Sequence, residues 1–214
     1  MPKVSVIIPT YNRAQYIGET VRSVLQQTYK DYDVVVVDDG STDDTLKRLE
    51  EFDGQIKIVE QPNSERAVAR NNGIKNSSGE YVALLDSDDL WLPDKLEKQV
   101  KVLDKNYRVA MCYGQSLRID DKSNNIKAAR RQLEGFSGSV FEKFLIRNFV
   151  VSATPLARRR DIENIDGFQT KYIPYEDWEF WARLSLQGDF HYINEPLASY
   201  RIHPQQSVKL ASAQ

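Results

Sequence analysis

The sequence predicts an α/β fold: a doubly wound, mostly parallel central sheet flanked by helices. Three observations carry that prediction. Short strand-like runs recur through the first half of the chain, and several are β-branched and apolar on both alternating faces, as strands covered on both sides must be. Amphipathic stretches at helical spacing fall between them. The length, 214 residues, suits one large domain with a substantial core.

The elements follow in order. Val4 to Ile8 is the first predicted strand, and Ile17, Val21, Val24 and Leu25 then form one helical stripe. Asp33 to Val37 is the second strand. Ser41-Thr42-Asp43-Asp44 before Leu46 reads as a capped helix start, close to a capping box. Ile56 to Glu60 is the third strand, and a helix bearing Arg66 and Arg70 leads into the fourth, Tyr81 to Leu85. Leu96, Val100 and Leu103 make a second stripe, with Pro93 near its first turn. Val109 to Tyr113 is the fifth strand, and Cys112 within it reads as a buried, reduced, structural thiol.

Regularity fades after Gly114. Asp120 to Arg131 reads as a loop or hairpin over the site, or as a plain solvated loop. A helix is predicted over Val140 to Ile146, with Val140, Phe141, Phe144 and Leu145 on one side, then a short strand over Phe149 to Ala153. A helix from Glu176 to Leu186 opens on acids, and its Trp178 and Trp181 read as core rather than as sugar-stacking rings. Phe190 to Ile193, holding a structural His191, and Leu197 to Arg201 are two closing strand pieces.

Composition excludes some classes. The net charge is −2 and Arg158-Arg159-Arg160 is the one dense basic run, so no nucleic-acid partner is expected. That triplet reads as solvated surface, with contact to an anionic acceptor or lipid phosphate as the alternative. One cysteine permits no intramolecular disulfide. No run approaches the ~20 apolar residues of a membrane span, and Val4 to Ile8 is too short for a signal-peptide core. A cytoplasmic protein is expected, with peripheral contact at the inner face of the membrane left open; the oligomeric state is not fixed.

The chemistry gathers at strand exits. In an open parallel sheet, ligands bind beyond the carboxyl ends of the strands. The first strand runs into Pro9-Thr10-Tyr11-Asn12-Arg13, the second into Asp38-Asp39-Gly40-Ser41, the fourth into Asp86-Ser87-Asp88-Asp89. A hydroxyl, an aromatic face and a helix start suit a base with a nearby phosphate or ribose. An Asp-x-Asp suits a hard divalent cation that keeps other positions for water and phosphate. Taken singly, Asn12, Asp39 and Ser41 also read as turn residues, and one acid of the third cluster as a helix cap. Converging on one edge, the three clusters describe a nucleoside diphosphate held through a metal. An arginine from Arg66 or Arg70 would neutralise that diphosphate.

These segments, with Ala69-Arg70-Asn71-Asn72-Gly73-Ile74, Tyr175-Glu176-Asp177-Trp178-Glu179-Phe180-Trp181 and Tyr200-Arg201-Ile202-His203-Pro204, resemble family 2 glycosyltransferases of the GT-A fold. The resemblance runs over residues 3 to 207. It implies a single domain over 1–214, with a nucleotide-sugar-binding half (1–113) and an acceptor-binding, catalytic half (114–214). It also implies inverting, metal-dependent transfer from a nucleoside-diphosphate sugar, a UDP-sugar by preference. The acceptor would be a hydroxyl of a glycan or lipid-linked molecule in cell-surface polysaccharide synthesis. Carried over, Pro9, Thr10, Tyr11 and Asp39 would hold the nucleoside, Arg66 or Arg70 the base or diphosphate, and Asp86 the ribose. Asp88 would coordinate Mn²⁺ or Mg²⁺, with His203 completing the shell or binding a phosphate. Asp177 looks like the general base, with Glu176 beside it; both also suit the N-terminus of a helix. A sugar-phosphate nucleotidyltransferase is the rival enzyme, although its Gly-rich loop is replaced here by Pro9-Thr10-Tyr11-Asn12. A non-catalytic nucleotide-sugar-binding module is the other rival, although it would not need the acids.

Overall fold

The structure, a computed structural model, describes residues 1–126, 134–204 and 206. An eight-stranded sheet runs through them in the order β3-β2-β1-β4-β7-β6-β8-β5. Strands β1 (Val4–Thr10), β2 (Tyr32–Asp38), β3 (Lys57–Glu60) and β4 (Tyr81–Leu84) pair in parallel, as the two-faced apolar runs of β1, β2 and β4 predict; β3, at the sheet edge, is mostly exposed. Alternate residues serve two cores. Val4, Val6 and Ile8 face helix α1 (Ile17–Leu25) and α4 (Lys95–Lys105), whereas Ile7 faces α3 (Arg66–Lys75) across the sheet. Gly73 makes that approach feasible: a Cβ there would stand 2.3 Å from Ile7 Cγ2. The short α2 (Thr45–Leu49) follows the second polar cluster, and Asp43 accepts from the Thr45 amide at its start.

The second half departs from expectation in several places. Strand β5 (Leu90–Trp91) lies where a lead-in to a helix is expected. Strand β6 extends over Val109–Ile119, and β8 is one element, Asp189–Arg201, whose register shifts opposite Gly114 to Ser116 separate the two predicted pieces. The strand predicted over Phe149 to Ala153 is absent. Phe149, Val150 and Ala153 are buried there, but Asn148 Oδ1 takes the Val150 amide and Thr154 N bonds Val151 O, a local turn rather than a ladder. The strand is instead β7 (Leu156–Arg158), antiparallel to both β4 and β6.

Helix α5 is only Phe141–Phe144, so Leu145, predicted on its buried side, is exposed. The basic triplet is not a solvated surface. Arg158 is buried and donates to the Val109, Leu103 and Asn106 carbonyls, while Arg159, in α6 (Arg159–Glu163), bonds the Gly79 and Ile74 carbonyls. Only Arg160 is largely exposed. In the predicted loop from Asp120 to Arg131, Asp120 Oδ1 caps the Lys122 and Asn124 amides and Ile119 bridges Asn125. Residues 127–131 lie outside the described residues. Helix α7 (Glu176–Leu184) buries Trp181 and leaves Trp178 half-buried.

Candidate active site

The three polar clusters meet at the carboxyl edge of β1, β2 and β4. Asn12, at φ 51°, uses its side-chain oxygen to accept the Thr42 amide at 2.7 Å, and its own amide donates to Ser41 Oγ at 2.9 Å. Asn12 and Ser41 are therefore turn staples between the first two clusters. Gly40, at φ +77°, turns the chain where a Cβ would meet the Asn63 amide nitrogen at 2.9 Å. Asp39 is buried; its Oδ1 accepts from Gln61 Nε2 at 2.7 Å and the Ser64 amide at 2.8 Å. Gln61 is held in turn by Asn72 of α3.

The third cluster is clamped from beneath. Thr20 Oγ1 donates to the Ser87 and Asp89 carbonyls. Arg201, 1% exposed, sends Nε to the Asp88 carbonyl at 2.7 Å and its backbone amide to Asp89 Oδ1 at 2.8 Å. The same guanidinium reaches Glu19 of α1 and Ser123 of the hairpin. Asp89 thus supports the turn from inside. Burial, and then the charges of Asp88 and Asp86, push its carboxyl well above the usual carboxylate range. Asp88 points outward, with Oδ2 3.0 Å from His203 Nε2 and 3.2 Å from Arg13 Nε. His203 is buried against the Tyr16 ring, 4.7 Å between centroids. The pairing of β5 with β8, Leu90 to Ser199 and Trp91 to Ala198, is what brings His203 to Asp88.

A chain of ion pairs forms the other wall. Arg70 donates to Asp86 Oδ1 at 2.8 Å and to Glu176 Oε1 at 3.2 Å; Arg66 Nε lies 2.5 Å from the same Glu176 oxygen. Burial works against the charge on Arg70, but Asp86 and Glu176 outweigh it and hold its pKa above the ordinary value. Asp177 turns away from this chain. Its Oδ2 accepts from Asn148 Nδ2 and Ser152 Oγ, each at 3.3 Å, and its Oδ1 from the Trp178 amide at 2.7 Å.

Between these walls lies a cavity of about 380 Å³. Pro9, Thr10, Tyr11, Asp39, Arg66, Arg70, Asp86 and Asp88 all line it. Three predicted residues do not. His203 stands behind Asp88, Glu176 is buried under the arginines, and Asp177 lies one residue beyond. Arg13, Asn63, Glu65, Tyr200 and Gln206 also line the cavity, without a role predicted from the sequence. Arg13 was in plain view inside the first cluster, and Tyr200 beside Arg201; the others lie in segments without a pattern.

Among the described residues no group of three or more His, Cys, Asp and Glu is arranged around a metal position. Asp88 nevertheless lines the cavity with His203 Nε2 3.0 Å behind its Oδ2, so an oxygen and an imidazole nitrogen stand side by side there. Mn²⁺ and Mg²⁺ commonly take just one or two protein ligands and complete their shell with phosphate and water, so the two residues fit such an ion.

The family profile "Glycosyl transferase family 2" matches residues 5–165. An uncharacterized glycosyltransferase of Rickettsia conorii is 35% identical over 94% of this chain and 33% of its own length. A putative teichuronic acid biosynthesis glycosyltransferase of Bacillus subtilis, TuaG, is 35% identical over 94% of this chain and 79% of its own. Among solved structures, S. aureus TarS 1–349 in complex with UDP superposes with a TM-score of 0.78 at 24% identity, covering 94% of this chain and 61% of that one. The mannosyltransferase PcManGT of Pyrobaculum calidifontis, in complex with GDP-Man and Mn²⁺, gives 0.69 at 24% identity over 95% and 58%. This chain thus spans only part of most of these proteins. The fold is the GT-A fold, and the chain belongs to glycosyl transferase family 2.

Proposed function

We propose that the chain is an inverting glycosyltransferase that binds a nucleoside-diphosphate sugar, a UDP-sugar by preference, in the cavity at the strand exits. It passes the sugar to a hydroxyl of a glycan or lipid-linked acceptor in polysaccharide synthesis. The observation that carries this reading is the convergence of Thr10, Tyr11, Asp39, Arg66, Asp86 and Asp88 on one cavity. The UDP in the TarS complex and the teichuronic acid role in the TuaG name support the donor and the product class.

Tyr11, 43% exposed, offers its ring to the base, and Asp39 accepts from a base or ribose donor. Asp86 faces the ribose, held in place by Arg70. Arg70 is committed to two carboxylates, so Arg66, at the cavity wall, is the arginine that meets the diphosphate. Glu176 is a positioning residue that fixes both arginines. Asp88 and His203 would hold Mn²⁺ or Mg²⁺, which when bound acts as a Lewis acid on the leaving diphosphate. Asp177 takes the acceptor hydroxyl's proton as the new oxygen–carbon bond forms at the anomeric carbon. The bond to the diphosphate breaks on the opposite face, and the nucleoside diphosphate leaves with the electron pair. General-base help of this kind contributes roughly 10²–10⁴-fold. Asn148 and Ser152 orient the carboxylate.

Calorimetry with UDP and Mn²⁺, paired with a transfer assay, tests the assignments. Asp88→Ala is expected to lose metal-dependent UDP affinity. Asp177→Asn is expected to keep UDP–Mn²⁺ binding and lose transfer. Wild-type binding by the first variant, or undiminished turnover by the second, would remove that residue from its role.

A further inference from the structure

Leu145 and Ile146 stand side by side in solvent, 69% and 76% exposed, because α5 stops at Phe144. Neighbouring aliphatics held in water gain nothing for the fold, and where they continue into a larger exposed apolar patch they mark a contact surface. Phe144, 2% exposed, anchors this tip to the core, and Lys143 and Arg147 flank it. Arg147 pairs at 3.5 Å with Glu134, and both are well exposed.

A second exposed group adjoins the first. Tyr172, Ile173 and Tyr175 are 42%, 36% and 64% exposed, with Lys171 Nζ 5.0 Å from the Tyr172 ring. Trp178 joins the two groups. Its Nε1 donates to the Phe144 carbonyl at 2.7 Å and its ring lies 6.5 Å from that of Tyr175. Of the acids nearby, Glu179 is held by Arg183, and Glu142 remains on the outer face of α5.

We propose that this surface docks on an anionic lipid bilayer. Two aliphatics enter the acyl boundary, tyrosines and a tryptophan sit at headgroup depth, and lysines meet lipid phosphate. The chain has a net charge of only −2, so the cations act locally, around the apolar tip. The same loop carries Asn148 and Ser152, the partners of Asp177. Docking therefore sets Asp177 at the lipid–water boundary, where the hydroxyl of a lipid-linked acceptor is presented. That last clause rests on the transferase reading; the docking itself does not.

Co-sedimentation with phosphatidylcholine vesicles, with and without phosphatidylglycerol, tests it. The protein is expected to sediment with the anionic vesicles alone, and less as salt rises. The Leu145→Ser/Ile146→Ser variant should bind at least about tenfold more weakly, since two buried aliphatics are lost. Its thermal midpoint and its UDP–Mn²⁺ affinity should stay unchanged, because both side chains project into solvent. Lys143→Glu should also weaken binding to the anionic vesicles, and its remaining binding should depend less steeply on salt. Equal sedimentation of wild type and the serine variant overturns the proposal, as does wild-type protein that ignores anionic vesicles. A dimer by light scattering that the serine variant dissolves also overturns it, in favour of a second copy of this chain. If Asp177 proves not to be the base, sedimentation is unaffected, so the two failures are distinguishable.

Discussion

Lys95→Met is expected to stabilise the protein at neutral pH and to destabilise it near pH 10.5. Lys95 is completely buried in the first turn of α4, the wrong end of a helix for a cation. Its Nζ bonds Gln99 Oε1 at 2.6 Å, approaches the Pro155 carbonyl at 3.4 Å and sits 4.0 Å from the Trp91 ring centre. Burial lowers its pKa from 10.5 to about 7. At about 1.4 kcal/mol for each factor of ten in proton affinity, the whole displacement costs the fold about 5 kcal/mol.

The sign follows from proton counts. Below about pH 7 both the folded and unfolded states hold the proton, so the cost is constant and complete. Between about 7 and 10.5 the unfolded chain binds more protons than the folded one, and stability rises with pH until the cost is gone. Methionine fills the volume without a charge but leaves Gln99 Oε1 without its donor, at about 1–3 kcal/mol. The variant should then gain about 2–4 kcal/mol at pH 7 and lose about 1–3 kcal/mol at pH 10.5. Urea unfolding of both proteins across pH 6–10.5 reads the difference directly, since every other titration cancels. A difference that stays flat across that range refutes the buried-charge argument. The site is tied to the proposed base. Gln99 also holds the Thr154 carbonyl, two residues beyond the Ser152 that meets Asp177.

Further expectations follow from single contacts. Glu176→Gln removes the shared partner of Arg66 and Arg70 and should cost about 3–5 kcal/mol in chemical denaturation, as breaking a buried pair does. UDP affinity should fall with it; a variant of wild-type stability and affinity would deny Glu176 its positioning role. Gly73→Ala drives a methyl against Ile7 and should cost about 1–3 kcal/mol in the same assay, with unchanged stability as the contrary result. Cys112 is buried and its thiol pushed up to about 12 by burial, so it should resist a thiol reagent at pH 8 until denaturant is added. Rapid labelling of the folded protein would contradict that placement.

β1, β2 and β4 were legible because they are buried on both faces, and burial writes itself as an apolar run; the edge strand β3 is mostly exposed and keeps only Ile58-Val59 as its signal. The strand-exit clusters were legible for the same reason, since a polar residue directly after such a run must lie at the sheet edge. The β7 segment offered no such signal. Leu156-Ala157-Arg158 ends in an arginine, and the apolar stretch just before it, Phe149 to Ala153, fills the core as a turn. Periodicity reports which residues are buried, not which backbone hydrogen bonds they make.

Charge misleads in the opposite direction. Arg158 and Arg201 are as polar as any residue in the chain, yet they are 6% and 1% exposed. Each satisfies backbone carbonyls far from itself in sequence, Val109 and Leu103 for one and Asp88 and Asp120 for the other. An arginine buried in this way is indistinguishable in sequence from a solvated one, because the groups that satisfy it are main-chain carbonyls, which every residue has. Glu176 and Asp177 show the same limit at the site. Both are helix N-terminal acids, and only the approach of α3 separates them, by aiming Arg66 and Arg70 at one and not the other. Among the described residues Asp177 has no arginine against its carboxylate, and that difference supports the proposed assignment of the base to it rather than to Glu176.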